Sequence, residues 1–230
     1  MSKIKPHRFW LFIMLVTGST TGSSADLSKE ALEAWFENDA QSTPFSTDNV
    51  NEGELAFLTT PPEKPTLHSD NRLTINAASL QDGWVDMAQC YNNLDAVKDA
   101  QVVYQYKQLR NLKVEATHNI EKAWTQGQSV QLHNTQKGAT LCVSAQVRIL
   151  YKNPDNTYTL KNGPFQRRFL DGFYPMHVSL AIAYPKNLLT FVTNKPEKQP
   201  GFIVKEQPGA VDVDAWFEGM LFTEITFKRQ

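Results

Sequence analysis

The chain is short of cysteine, of paired histidines and of long apolar runs, and each shortage removes a class of protein. Two of 230 residues are cysteine, Cys90 and Cys142, and neither has a second cysteine or a histidine at ligand spacing. A disulfide-built scaffold, a zinc site and a Cys-x-x-Cys redox centre are therefore not expected. Beyond residue 25 no apolar run approaches the roughly 20 residues of a spanning helix. A basic excess is missing too. Three of the 23 Lys+Arg fall in the first 25 residues and all 24 Asp+Glu lie beyond them, which leaves 20 against 24, a net −4. A nucleic-acid binder would show the opposite balance, clustered on one face. There is no Gly-x-Ser-x-Gly, His-Glu-x-x-His, Gly-x-Gly-x-x-Gly or phosphate loop, so no cheap argument for an enzyme exists. No cofactor and no metal are expected.

What is present begins with an address. Lys3, Lys5, His7 and Arg8 precede the apolar run Phe9 to Val16, and small residues follow to Ser23-Ser24-Ala25. A basic start, a short apolar centre and small residues at −3 and −1 fit a signal peptide cleaved after Ala25. The product, 205 residues from Asp26, is expected in the periplasm, or alternatively in the medium, with no membrane span. An oxidising compartment makes Cys90–Cys142 the expected disulfide.

Residues 26–52 read as an amphipathic helix and a polar linker. Leu27, Ala31, Leu32, Trp35 and Phe36 share a helical face, and the Trp35-Phe36 edge must dock on the body of the protein or on a partner. From residue 53 to 230 the period changes to two. Leu141, Val143, Ala145, Val147, Ile149 and Tyr151 alternate with polar residues, Leu150 excepted; Met176, Val178, Leu180, Ile182 and Tyr184 repeat the pattern. Gln108 to Asn111 interrupts one stripe and predicts a bend. Asn153-Pro154-Asp155-Asn156 predicts a turn, and Asn162-Gly163-Pro164 breaks another pattern. The last strand pattern, Val211 to Phe227, carries Gly219 at a place where a strand could pass from one sheet to another, burying opposite sides before and after. About ten strands without crossover helices predict an all-β fold, an antiparallel β-sandwich or alternatively a barrel, with the short N-terminal helix outside it.

Four groups of residues are candidates for function. The densest is Phe165 to His177, in which Arg167, Arg168, Asp171, Tyr174 and His177 combine charge with aromatic surface, as interface hot spots do. The same residues could instead be an Arg–Asp bridge tying down a connection. Asp212 and Asp214 share a face, with Glu218 near, and read as a solubilising row or an acid pair. His133 and His177 lie on polar faces and would converge only if their strands were neighbours. Trp84, Trp124 and Trp216 could pack by the disulfide or offer a platform for a sugar. Together these predict an exported, non-catalytic binding or assembly protein of the bacterial cell envelope. Its partner, a protein or an envelope polymer, would be held by the Arg/aromatic patch, with Trp35 and Phe36 as a second contact. The rivals are an envelope hydrolase built on Asp and His, and a small-ligand carrier with a barrel cavity.

Overall fold

The computed structural model describes residues 51–169 and 172–230. The expected signal peptide, the helix expected around Trp35 and Phe36, the expected linker up to residue 50 and Asp171 lie outside the described residues. In chain order the strands are β1 (Ala56–Phe57), β2 (His68–Thr74), β3 (Trp84–Leu94), β4 (Val97–Val103), β5 (Leu109–Gln126), β6 (Ser129–Arg148), β7 (Leu150–Lys152) and β8 (Thr157–Phe165). There follow β9 (Arg167–Phe169), β10 (Gly172–Tyr174), β11 (Met176–Ala183), β12 (Leu189–Lys195), β13 (Phe202–Gln207), β14 (Ala210–Glu218) and β15 (Leu221–Arg229). A single helical turn, α1 (Ser79–Asp82), precedes β3.

Two sheets face each other. The large one has the order β1-β14-β11-β2-β3-β6-β4, with β13 also on β14 and β5 also on β6; the small one is β12-β15-β8-β7. Their inner faces supply one apolar core: Val178, Leu180, Ile182, Val211, Val213, Val143 and Val147 from the large sheet, and Leu160, Leu221, Ile225 and Phe227 from the small one. Tyr184 meets Phe227 across the layers at 4.9 Å between ring centroids. The sheets do not close into a barrel. The protein is an all-β sandwich with antiparallel pairing almost throughout. The exception is β2 with β11, which run parallel. That pairing joins strands about a hundred residues apart, and strand order of this kind is invisible to local periodicity.

The alternation in β6 is obeyed and its one exception is explained. Leu141, Val143, Ala145, Val147 and Ile149 are buried, yet so is Leu150, while Tyr151 is exposed. The chain leaves the large sheet after Arg148 and enters the small one at Leu150, so the buried parity flips. The same change of sheet occurs at Gly219, between β14 and β15. Here the buried parity is kept: Phe217 and Leu221 are both fully buried, contrary to the expected reversal. Gly219 and Met220 form a complete corner between them, and Gly219 takes φ +87° with its α-carbon against the Glu54 carbonyl.

The tip of the β5–β6 hairpin lies between Gln126 and Ser129; Gly127, at φ +58°, makes the turn. Five residues, 104–108, connect β4 to β5. Tyr104 bonds to Gln128 at one end of β6, and Gln108 bonds to Arg148 at the other. Five extended residues span about 17 Å at most, whereas 20 residues of straight strand cover roughly 65 Å. β6 must therefore curl back on itself. The devices are in place: Asn111, Asn119 and Asn134 at positive φ, Gly138 at φ +75°, and register shifts along β5. The predicted bend over Gln108 to Asn111 is the first of them. The curl brings β4 and residues 104–106 over one end of the sandwich.

Candidate functional site

The curled end faces the β8–β9 segment across a cleft of about 410 Å³. Its walls come from β3 (Gln89, Tyr91), the curled segment (Val102, Tyr104, Tyr106) and the stretch Gly163 to Phe169, with Met176 at the base. Beside it, β9 and β10 pair as a two-stranded ribbon, Tyr174 opposite Arg167 and Phe173 opposite Arg168.

Arg167 and Arg168 have different fates. Arg167 Nη2 donates to both carboxylate oxygens of Asp95, at 2.9 Å each, and its guanidinium lies 5.4 Å from the Phe169 ring and 5.8 Å from that of Tyr174. The acid is Asp95 from the β3–β4 link; the Arg–Asp bridge foreseen within the segment would draw on Asp171, which lies outside the described residues. Arg168 is exposed at the rim, its guanidinium 5.4 Å from the Phe173 ring. Phe169 is 42% exposed and meets Tyr174 edge-on.

The interior of the cleft was missed by sequence reasoning. Gln89, Ser69 and Asn71 lie on the inner face, fully buried among apolar neighbours. Gln89 Nε2 donates to Ser69 Oγ (3.0 Å) and Asn71 Oδ1 (2.6 Å), and Asn71 Nδ2 is taken up by the Ser69 and Ser179 carbonyls. The direction of the Gln89 amide is therefore fixed, and its Oε1 is left as an acceptor without a donor among the described residues. Tyr104 Oη is also buried without a hydrogen bond, as is Arg167 Nε. Tyr106 Oη donates to Asn162 Oδ1 across the two sheets at 2.7 Å. Burial pushes the Tyr91 hydroxyl up to about 12 and raises Tyr104 and Tyr106 further still. At neutral pH every tyrosine here keeps its proton. A signal existed: Gln89 continues the buried parity of Val85 and Met87, and Asn71 that of Leu73.

His177 belongs to another group, on the outer face of the large sheet. Its ring stacks between His68 and Trp216, with centroids 4.1 Å away on each side. Its Nε2 bonds to Asp214 Oδ2 at 2.8 Å; Ser179 Oγ donates to the same oxygen at 3.1 Å and contacts His68 Nε2 at 2.9 Å. His177 and His133 do not converge, because β11 and β6 are not neighbours in the sheet. His133 pairs with Asp99 on β4, and His68 is the neighbour of His177 through the parallel β2–β11 pairing. Ser, His and Asp are thus all present, but their order is wrong for nucleophilic catalysis. The Ser179 proton is committed to Asp214 Oδ2, so His68 Nε2 must donate to Ser179 instead of accepting from it. Asp212 shares the Asp214 face, as its spacing predicts. Among the described residues no cluster of His, Cys, Asp and Glu is suited to a metal ion.

The remaining expectations fall plainly. Cys90 and Cys142 are bonded, directly opposite each other on β3 and β6, with Cα atoms 4.1 Å apart. Their parity puts them on the outer face, so the bridge clamps the large sheet from outside the core. Among the described residues no tryptophan is in the core: Trp124 is 40% exposed under Lys122, and Arg110 covers Trp84. A further depression, about 380 Å³ beside α1, holds Arg148, which is already bonded to the Asp82 carbonyl and Gln108. No described helix is long and apolar enough to cross a membrane.

The fold and these sites define an all-β sandwich with an end cleft. Comparison with known proteins takes the class no further. No protein-family profile and no curated protein matches the chain. Solved structures of an M1 zinc metallopeptidase from Deinococcus radiodurans share some backbone likeness. One, a mutant bound to a Tyr-Ser-Ala substrate, has a TM-score of 0.39 at 9% identity, over 76% of this chain and 43% of that one. Another has 0.36 at 11%, over 77% and 42%. This chain spans less than half the length of those it matches, and likeness this slight establishes neither family nor activity.

Proposed function

We propose that the protein is an exported, non-catalytic binding protein of the cell envelope. It holds a partner polymer or protein at the β9–β10 ribbon and the cleft beside it. The observation that carries this is the pairing of an exposed Arg168 and Phe169 at the rim with an open, aromatic-walled cleft behind them. Rim charge for orientation and an aromatic interior for contact area are the ordinary division of labour at a binding site. The disulfide and the missing membrane helix among the described residues are compatible with the periplasm or the medium. The basic–apolar–small N-terminus favours the periplasm.

The hydrolase reading is disfavoured by wiring: Asp214 is spent on His177 and Ser179, and Ser179 has no base. The barrel-carrier reading loses its barrel. Capture from a native envelope extract, resolved into a protein fraction and an insoluble polymer fraction, tests the proposal. Arg168→Glu with Phe169→Ser should abolish capture; retained capture by the double variant moves the partner site elsewhere.

A further inference from the structure

Five buried side-chain atoms lack a hydrogen bond among the described residues, and three of them sit in residues that wall one cleft: Gln89 Oε1, Tyr104 Oη and Arg167 Nε. Such atoms cost stability wherever they occur, because each gave up water on folding. Three at one place form a complementary set: an acceptor fixed in direction, a hydroxyl able to donate or accept, and a charged donor. Tyr91 stands close enough to Gln89 and Tyr104 that both ease its ionisation. Its single hydroxyl is therefore the group with which a ligand would compete at these two atoms.

Resting on the reading of this cleft as a partner site, we propose that it takes one uncharged, hydroxyl-bearing ring, a neutral sugar unit of an envelope glycan. Four observations select that class. Inside the cleft the charge is balanced, since Asp95 neutralises Arg167 and the tyrosines keep their protons; the further cation, Arg168, lies at the mouth. An anionic ligand would find Arg168 only at the mouth and would meet the lone pairs of Gln89 Oε1 inside. A hydrocarbon would leave all three atoms unpaired. Neighbouring hydroxyl groups on a ring each donate and accept, which satisfies an acceptor, a donor and a tyrosine at once. The walls supply apolar contact for the ring through Tyr91, Tyr106, Phe165 and Met176, and about 410 Å³ lies within the range of small-ligand sites. Arg168 and Phe169 at the mouth are then placed for the chain that continues from the bound unit.

The test is calorimetric titration of the full exported chain with glucose, N-acetylglucosamine and its disaccharide, with glucuronate as the charged control. Tyr104→Phe, which removes one oxygen and keeps the ring, is the companion variant. A neutral sugar should bind one to one and more tightly than glucuronate. Tyr104→Phe should weaken it about 10-fold while raising the melting temperature, because the free protein loses an unpaired hydroxyl. Absence of binding by every sugar, or equal binding by the variant, overturns the proposal. So does a lower melting temperature in the variant, which marks a hydroxyl already served by buried water. Envelope capture that persists without sugar binding sinks the sugar unit and spares the partner surface. Sugar binding with no capture does the reverse.

Discussion

Asp95 accepts both of its hydrogen bonds from a single nitrogen of Arg167, across 72 residues of chain, and so joins the β3–β4 link to the β9–β10 ribbon. The arginine is largely covered and the acid half exposed. The pair therefore lies between surface bridges, which contribute little, and buried ones, whose loss is severe. Its role is to hold one wall of the cleft against another. Asp95→Asn should cost about 1 kcal/mol in urea unfolding, and Arg167→Gln in the same background should add little. Fully additive losses would show that the two residues do not act as a pair.

This pair marks the boundary of what the sequence discloses. An arginine tied to an acid was foreseeable from composition, but the choice of Asp95 depends on which strands become neighbours. The same holds for the histidines. His68 and His177 meet because β2 lies parallel to β11, a pairing with no local signature. Periodicity did expose the strands, the Gly219 corner and the disulfide, since each is written in nearest-neighbour alternation or in the count of one residue type. Its failure at Leu150 is physical: alternation assumes one sheet, and the chain changes sheets there. The cleft itself was half legible. A glutamine on the buried parity of β3 is a polar group in an apolar stripe, and such groups are retained where something must be bonded.

Glycine is required at the sheet-changing corner. A Cβ at Gly219 would lie 2.0 Å from the Glu54 carbonyl oxygen, in a backbone conformation of φ +87°. Gly127, at φ +58° in the hairpin tip, has nothing within 4 Å. Gly127→Ala should cost about 1 kcal/mol, the conformational penalty alone. Gly219→Ala should cost roughly 3 kcal/mol, because the 53–54 segment must move as well. Equal losses in chemical denaturation would show that the contact with Glu54 carries no weight.

The disulfide spans 52 residues and lies outside the core. Its removal opens no cavity between the sheets, so its contribution is the loop entropy it denies the unfolded chain. Cys90→Ser with Cys142→Ser should lower stability by roughly 4 kcal/mol in that account, leaving the β-sheet circular dichroism of the folded state unchanged. A loss well under 1 kcal/mol would mean that the paired strands already confine the unfolded ensemble.

His68 gives the fold a pH dependence whose sign follows from its surroundings. Burial, first, and the charge of His177, second, hold its imidazole below the ordinary 6.5, against the opposing pull of Asp70 and Asp214. As pH falls below 6.5 the unfolded chain takes up a proton that the folded chain still refuses. Stability from this group is complete above that value and is lost down to the lower folded value, below which it changes no further. The urea midpoint should therefore drop between pH 7.5 and pH 5.5. His68→Asn, which keeps a donor for Ser179, should reduce that drop without abolishing it, since other groups titrate in the same range. An identical drop in the variant would show that His68 accepts a proton as freely when folded as when unfolded.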